Sequence, residues 1–379
     1  MIAPKKDELE VTIMGNGYGE CIVIHYGNND WIVIDSFQSV KSKKSVASEY
    51  LDRIGVDIPK NLKYIVVSHT DTDHIKGIST LYSDAKNAIF VMSDALNFKP
   101  FVLMAIGSAP DKRGTRTEAE EFTKIYSEIE LRRKRPKDEV CWSASASQRI
   151  FCDSYKTGEK SVCREMWSLS PSNTAKSNAR TTIVSIFDQL TGKQSGQQCS
   201  IGKIPMLKNN HTSVVLWLTI GGRNLLFGAD LEELNDPTDG WKNIINLTGK
   251  PSGKSEFFKI PHHGSSNAHN DDVWKYMIEN DNTSGLTAYS RNKSPLPQPN
   301  QLRKISHLSS NSYLVGSAKI ARAHYDSNTD KLLRKVGKPV ARISGSYGRI
   351  TFRSLINDPI GNWSVDSEGK VSNIKDIMT

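Results

Sequence analysis

Ionisable residues follow several apolar segments that have the composition of buried strands. A short run, Tyr-Ile-Val-Val, leads directly into Ser-His-Thr-Asp-Thr-Asp-His at 68–74. Residues 224–228 lead into Asp230, and residues 256–260 lead into Pro-His-His-Gly at 261–264. Imidazole nitrogens and carboxylate oxygens are ligands for divalent metals. Because the loops at one edge of a layered α/β sheet form the site, we expect these strand ends to converge on a metal site.

The spacing within 68–74 favours two adjacent metal positions. His69 and Asp71, two residues apart, lie on the same side of an extended segment. Asp73 and His74 fall in the turn that begins the next helix, so they face a second position. The remaining candidates are a carboxylate that could bridge the two positions and a histidine that could complete the second: Asp230, and His262 or His263.

The surrounding sequence predicts the elements that position these residues. Alternating or continuous apolar patterns indicate strands, and apolar residues at helical spacing indicate helices. The polar stretch 172–200 is expected to be partly a loop around one apolar segment. The predicted strands are 9–14, 21–25, 31–34, 64–67, 213–220, 224–228, 256–260, 285–289 and 348–354, and the predicted helices are 45–54, 118–135 and 231–245.

These motifs, in this order, resemble the metallo-β-lactamase fold. The run SHTDTDHIKG at 68–77 resembles its metal-binding H-x-H-x-D-H signature, with Asp71 where the second histidine is usual. The rest is most similar to the branch that contains the hydrolase domain of the DNA-uptake protein ComEC and its stand-alone relatives. The segments that carry this resemblance are MGNGYGEC at 14–21, VID at 33–35, LSPS at 169–172, NNHTSVVL at 209–216, FGADLE at 227–232, KIPHHGS at 259–265 and YSRN at 289–292.

The resemblance implies an α/β fold, a four-layer αβ/βα sandwich of the metallo-β-lactamase type with an inserted, mainly helical cap. The two halves of the fold are then expected at 1–95 and 165–325, and the cap at 96–164. Residues 326–379 are expected to form a β-containing C-terminal extension.

The resemblance also implies hydrolysis by a hydroxide that bridges two divalent metal ions, with Zn²⁺ or Mn²⁺ expected. An aspartate at position 71 is a harder ligand than histidine, which shifts the preference from zinc toward manganese or magnesium. One metal position is expected to use His69, Asp71, Asp230 and His211, and the other Asp73, His74, Asp230 and His263. Catalytic roles are expected for Asp73 and His262, with an exchange between His262 and His263 left open, and substrate contacts for Asn210, Ser265 and Arg291.

The charge of the chain indicates a polyanionic partner. Lys and Arg number 50 against 41 Asp and Glu, a formal net charge of +9 at pH 7, and excess positive charge favours nucleic acid through counterion release. The densest basic run is a candidate phosphate-contacting patch, or else a solvated helix end. Its candidate nucleic-acid contacts are Arg132, Arg133, Lys134 and Arg135.

A phosphodiesterase or nuclease acting on nucleic acid or a nucleotide is therefore the first hypothesis. An alternative enzyme would hydrolyse a small phosphoester, a cyclic nucleotide or a (thio)ester in a closed pocket. A third hypothesis is a metal-containing sensor or binding component of a bacterial defence system that works with an operon-encoded protein partner. The five cysteines are an odd number, widely spaced and without a C-x-x-C pair, so neither a disulfide framework nor a zinc finger is indicated. No apolar stretch reaches the ~18 residues of a membrane span, and we expect a cytoplasmic protein.

Overall fold

Two β-sheets form the framework of the fold in the computed structural model, which describes residues 2–97, 101–102, 117–134, 140–190, 209–290, 294–317, 347–358 and 362–378. The first sheet has the spatial order β15-β14-β1-β2-β3-β4-β5-β6. Its strands are β1 (Glu8–Gly15), β2 (Glu20–Tyr26), β3 (Trp31–Ile34), β4 (Leu62–Val67), β5 (Ile89–Ser93), β6 (Cys141–Ala144), β14 (Gly348–Leu355) and β15 (Ser364–Glu368).

The second sheet has the order β16-β13-β12-β11-β10-β9-β8-β7. Its strands are β7 (Gln148–Thr157), β8 (Lys160–Ser168), β9 (Leu216–Ile220), β10 (Arg223–Phe227), β11 (Ser255–Lys259), β12 (Ile278–Thr287), β13 (Asn311–Val315) and β16 (Val371–Asn373). The described helices are α1 (Val46–Arg53), α2 (Ile58–Asn61), α3 (Thr72–Ile75), α4 (Ile78–Asp84), α5 (Thr117–Arg133), α6 (Asn173–Leu190), α7 (Gly240–Asn246), α8 (Asp271–Tyr276), α9 (Pro299–Leu308) and α10 (Ile374–Met378).

The central strands are apolar on both faces because both faces are covered. In β2, Cys21 and Val23 face the helices, whereas Ile22 and Ile24 face the other sheet. Successive side chains of a strand point to opposite faces, so a continuous apolar run fills two cores at once. This packing explains why β2, β3 and β4 have short, uninterrupted apolar sequences.

Helices cover the outer face of each sheet, which gives four layers. Tyr50 of α1 and Leu81 of α4 belong to the core on the first sheet, and Trp241 of α7 and Trp274 of α8 belong to the core on the second. A third apolar cluster lies between the sheets and takes residues from both. The predicted αβ/βα sandwich is confirmed. None of the described helices is long and apolar enough to cross a membrane.

The described part of segment 96–164 differs from the predicted mainly helical cap. Helix α5 packs against the first sheet through Phe122 and Ile125. Strand β6 extends that sheet by parallel pairing with β5, and β7 and β8 form a hairpin that joins the second sheet through β9. The segment was not expected to be strand because one face of β7 is largely exposed and carries polar residues. The boundaries of the two halves remain predictions.

Two other elements also differ from the expectation. Within the stretch 172–200, which was predicted to be partly a loop, residues 173–190 form α6, and residues 191–200 lie outside the described residues. Ser172 Oγ accepts from the backbone N–H of Ala175 at 2.9 Å, and small or apolar residues recur on the buried face of the helix. The helix expected at 231–245 is shorter, because Asp239 caps α7 by accepting from Gly240 N at 2.8 Å. Helix α7 therefore begins only at Gly240.

Candidate metal centre

The predicted strand ends converge at one edge of the sandwich. Strands β10 and β11 are parallel neighbours, so the residues that follow them lie at the same edge. The loop after β4 reaches this edge from the other sheet, where Val214 N donates to the carbonyl of Ser68 at 2.9 Å. Asp230 and His263 thereby face the cluster at 69–74 across the gap between the two sheets.

The Oδ2 atom of Asp230 is the point that the clustered histidines share. It lies 3.5 Å from His74 Nε2, 3.6 Å from His263 Nε2 and 3.9 Å from His69 Nε2. The side chains of these residues are at most 5% exposed. Three imidazoles that approach one carboxylate oxygen from within the protein interior form a site enclosed by ligand atoms.

The carboxylates of the first cluster lie on two sides of this point. Asp73 Oδ2 is 3.7 Å from His74 Nε2 and 3.8 Å from His263 Nε2, whereas Asp71 Oδ2 is 3.6 Å from His69 Nε2. Asp73, His74 and His263 offer three buried candidate ligand atoms within 4.8 Å of one another. The structure therefore brings together every predicted metal ligand except His211.

The hydrogen bonding of the buried ring nitrogens shows whether these residues fit a metal ion. The Nε2 atoms of His69, His74 and His263 are buried and have no hydrogen-bond partner. Leaving a buried polar atom unpaired costs about 1–3 kcal/mol, so several such atoms that converge need an explanation. A divalent cation ligated by these atoms supplies one, and the residues fit the metal that the sequence predicts.

The other nitrogen of each ring is held by a hydrogen bond that fixes the tautomer. His74 Nδ1 donates to Asp35 Oδ2 at 2.8 Å. Ser68 Oγ donates to the same oxygen at 2.5 Å, so it can only accept from His69 Nδ1 at 2.9 Å. In the neutral rings, each Nε2 then keeps its lone pair for the centre of the site. Asp35 directly follows β3 and belongs to the VID segment that carries the resemblance, but no role was predicted for it from the sequence.

The charges and the burial within the cluster shift the pKa values of its histidines in opposite directions. Burial disfavours protonation of His74, but Asp230, Asp73 and Asp35 outweigh burial and raise the pKa of His74 well above its ordinary value. Burial lowers the pKa of His263 to about 4, and the nearby Lys259 adds to that effect. Burial also raises the pKa of Asp73 to about 6. Burial and His74 oppose protonation of His69, but Asp71 and Asp230 outweigh them and raise its pKa too. In the metal-free protein the carboxylates therefore favour a proton on both His69 and His74, and metal binding would displace it.

His211 lies in a second polar group, which we call the rim cluster: Asn210, His211, Glu232 and His262. His211 Nε2 is 3.4 Å from Glu232 Oε2, and Asn210 Nδ2 donates to Glu232 Oε1 at 2.9 Å. His211 is in none of the groups of three or more candidate ligands that the described residues form. The structure thus pairs His211 with Glu232, for which no role was predicted from the sequence, whereas the other predicted ligands contact one another.

The two adjacent histidines face different clusters. His262 Nδ1 lies 3.5 Å from Glu232 Oε1 in the rim cluster, whereas His263 points to Asp73 and Asp230. Both histidines have left-handed backbone conformations, with φ of 46° and 52°. This turn directs the two neighbouring side chains apart. Of the two histidines, His263 is therefore the one that lies among the candidate metal ligands.

The basic run needs a correction at Arg132. Its guanidinium is buried and donates to the carbonyls of Ala88 (3.0 Å) and Tyr82, and it pairs with Glu128. Arg132 therefore holds α5 against the first sheet and is not accessible to a phosphate. Arg133 and Lys134 are exposed, while Arg135 lies outside the described residues.

Of the remaining predicted substrate contacts, Ser265 and Arg291, the structure describes only Ser265. Ser265 is partly buried and lines a small, mainly apolar cavity with Trp241 and Trp274. Arg291 lies outside the described residues. Two buried charged residues next to the site were not singled out from the sequence: Glu20, which begins β2, and Lys259, which ends β11.

One comparison with known proteins finds a match in the first part of the chain. Residues 14–141, which include the cluster at 69–74, match the family model of the metallo-beta-lactamase superfamily. A comparison with curated proteins gives no match.

Similar solved structures include the metallo-beta-lactamase fold protein YhfI from Bacillus subtilis, with 13% identity, 67% of this chain and 70% of that chain covered, and a TM-score of 0.31. The metallo-beta-lactamase SMB-1 has 10% identity, with 68% and 80% covered and a TM-score of 0.32. The hydrolase AbOPH of the beta lactamase superfamily has 12% identity, with 42% and 70% covered and a TM-score of 0.26. These values are too low to assign a function.

The family match and the architecture agree with each other. The matched residues 14–141 run from the end of β1 to the start of β6, and the described part of the chain continues with the second sheet and its covering helices. The chain therefore has the metallo-β-lactamase fold, and its residues 14–141 match the model of the metallo-beta-lactamase superfamily.

Proposed function

We propose that this chain is a metal-dependent hydrolase that cleaves phosphodiester bonds, as a phosphodiesterase or nuclease. The observation that carries the proposal is the set of buried, unpaired ligand atoms around Asp230 Oδ2. Candidate ligands lie on two sides of that oxygen, and a carboxylate shared between two positions is what a two-metal site requires.

The residues divide between two proposed positions for Zn²⁺ or Mn²⁺. When bound, such ions supply Lewis acidity that activates water and neutralises charge on phosphoryl oxygens. The mixture of imidazole and carboxylate ligands suits both metals. One position would use His69, Asp71 and Asp230, and the other Asp73, His74, His263 and Asp230.

Other side chains would orient the reactants. Asp73 is buried and its Oδ2 faces the gap between His74 and His263, a place from which it would also orient the attacking water. His262 is 18% exposed and is held in the rim cluster by Glu232 and by Asn210, whose Nδ2 lies 3.3 Å from His262 Nε2. We assign the rim cluster to substrate binding on this basis.

Phosphodiesters are favoured over carboxylic esters by geometry and charge. Two adjacent positions can hold both the attacking and the leaving oxygen of an in-line displacement. The formal net charge of +9 favours a polyanionic substrate such as nucleic acid. Within the basic run, Arg133 and Lys134 remain candidates for phosphate contact because both are exposed.

Hydrolysis of bis-p-nitrophenyl phosphate by metal-free protein reconstituted with Zn²⁺, Mn²⁺ or Mg²⁺ tests the proposal. Asp73→Asn and His74→Ala are expected to lower kcat/KM by more than the roughly 10–100-fold that outer-shell substitutions typically cost. Asp52→Asn is the matched control, because that carboxylate is half-exposed and pairs with Lys44 on the surface. Metal-dependent turnover that is lost in both site variants and retained in the control would support the proposal.

Two other outcomes would redirect it. Turnover of p-nitrophenyl acetate or a thioester, without turnover of the phosphodiester, would indicate a small-ester hydrolase. Two bound ions per chain without turnover of any substrate would favour a sensor or binding component that acts with a partner protein.

A separate binding experiment addresses the substrate. Salt-dependent DNA binding by Asp73→Asn would support nucleic acid as the substrate.

A further inference from the structure

Lys259 is a fully buried lysine beneath the candidate metal centre. It is the last residue of β11, and its side chain is 0% exposed. The Nζ atom forms an ion pair with Glu20, donates to the carbonyl of Ala229 at 2.9 Å and lies 3.8 Å from Asp230 Oδ1. Lysine is almost never fully buried unless it is paired, so these oxygens account for its burial.

The position of Lys259 divides the two oxygens of Asp230 between different partners. Oδ2 faces the three imidazoles, whereas Oδ1 faces the ammonium group. Rotation of the carboxylate about its Cβ–Cγ bond would exchange the two oxygens and is opposed by the attraction between Oδ1 and Nζ. Lys259 therefore favours the one orientation in which a single oxygen points to the centre of the site.

Glu20 acts on His263 through a hydroxyl group. Thr287 Oγ1 donates its only proton to Glu20 Oε2 at 2.6 Å. The same oxygen lies 2.9 Å from His263 Nδ1, and because its proton is already used, it accepts from Nδ1–H. His263 Nε2 is then unprotonated and keeps its lone pair toward Asp73 and Asp230. The charge on Glu20, stabilised by Lys259, sets the direction of the hydroxyl's hydrogen bond. The carbonyl of Thr287 lies 3.2 Å from His263 Nδ1 and accepts from the same N–H, so the hydroxyl and the carbonyl hold the ring together.

We propose that Glu20 and Lys259 are a positioning pair that holds Asp230 and His263 in the geometry and tautomer needed to bind metal. The pair connects the two sheets, since Glu20 belongs to β2 and Lys259 to β11. Its effect is strongest at the position built from Asp73, His74 and His263. The inference rests on the metal centre of the proposed function and not on its substrate, since metal binding is measured with no substrate present.

The test is metal binding by the full chain after metal removal. Zn²⁺ affinity is measured by calorimetric titration with a competing chelator, and the ligand environment by the absorption spectrum of the Co²⁺ form. In Glu20→Gln and Lys259→Met, at least one of two Zn²⁺ ions is expected to bind about 10–100-fold more weakly, with an altered Co²⁺ spectrum. Glu10→Gln is the control: Glu10 is equally buried, lies on the adjacent β1 and pairs with Arg353.

Thr287→Val provides a variant that does not disturb the ion pair. It removes only the hydroxyl between Glu20 and His263, so it is expected to weaken the binding of one Zn²⁺ ion. This variant can be measured even if Lys259→Met fails to fold. Folded Glu20→Gln and Thr287→Val proteins with wild-type Zn²⁺ affinities and Co²⁺ spectra would overturn the inference alone. A wild-type chain that binds no metal would overturn both the inference and the proposed function.

Discussion

Replacing Lys259 by methionine is expected to destabilise the metal-free protein more than replacing Glu20 by glutamine. Lys259→Met leaves the buried carboxylate of Glu20 without its counter-ion and Oδ1 of Asp230 without its nearest positive charge. Removing one partner of a buried ion pair costs about 3–5 kcal/mol. Glu20→Gln leaves Lys259 with the Ala229 carbonyl and Asp230, so its cost is nearer the ~1–3 kcal/mol of a lost buried hydrogen bond.

Urea denaturation in the presence of a chelator measures both changes, and the double variant Glu20→Gln/Lys259→Met completes a cycle. The double variant is expected to lose less free energy of unfolding than the sum of the single losses, because neither group is then left unpaired. The expected coupling is about 1 kcal/mol or more. The pair Glu10 and Arg353 is the matched control, with a smaller expected loss for Arg353→Met because that side chain is 26% exposed.

The opposite order of stabilities would refute this reasoning. If Lys259→Met unfolds at the wild-type urea concentration, the carboxylates of Glu20 and Asp230 do not need its charge in the folded state. If Glu20→Gln is the more destabilising change, the ammonium group depends on Glu20 and not on Ala229 or Asp230, and the contacts assigned to Lys259 are then wrong.

Three further predictions concern other parts of the chain. Burial lowers the pKa of His25 to about 4, against ~6.5 in an unfolded chain. Protonation of His25 therefore favours unfolding, so the free energy of unfolding falls as the pH drops from about 6.5 to 4. The expected loss is about 2 kcal/mol at pH 5. His25→Gln should flatten this part of a profile of denaturation against pH. Arg132→Met is expected to lower the free energy of unfolding by about 1–3 kcal/mol, whereas Arg133→Met should change it by less than about 0.5 kcal/mol. In anisotropy titrations with DNA, only the Arg133 variant should reduce the salt slope, by about one unit; an equal effect of both would contradict the burial of Arg132. Elemental analysis should find two metal ions per chain in His211→Ala and one fewer in His69→Ala. Loss of an ion from the His211 variant would show that His211 is a metal ligand.

Much of the framework could be predicted because its signals are local. The residues of β2 and β3 alternate between two apolar cores, so their composition alone indicates buried strands. The hairpin of β7 and β8 could not be predicted in this way, since much of β7 is exposed and its place beside β9 depends on pairing with a distant segment. The extent of α6 was missed because its polar composition hid the spacing of Ala175, Ile183 and Ile186.

The candidate site shows the same limit. His69, Asp73 and His74 stand next to a strand that is visible in the sequence, so their approximate place follows from position along the chain. The contact between Glu20 and Lys259 joins residues far apart in sequence, and neither has a neighbour that indicates its partner. A charged residue at the end of a strand with apolar neighbours was the available sign, and only the packing of the two sheets shows which opposite charge pairs with it.

The origin of the ligands has a consequence for how the protein holds together. His69, Asp73 and His74 follow a strand of the first sheet, whereas Asp230 and His263 follow strands of the second. An ion held by both sets is a cross-link between the two halves of the sandwich, closing a long loop much as a disulfide does. Because such an ion binds only the assembled form, its binding free energy adds to folding. Chelation would therefore remove a cross-link between the two sheets as well as the proposed catalytic metal. The melting temperature should rise with the concentration of free metal.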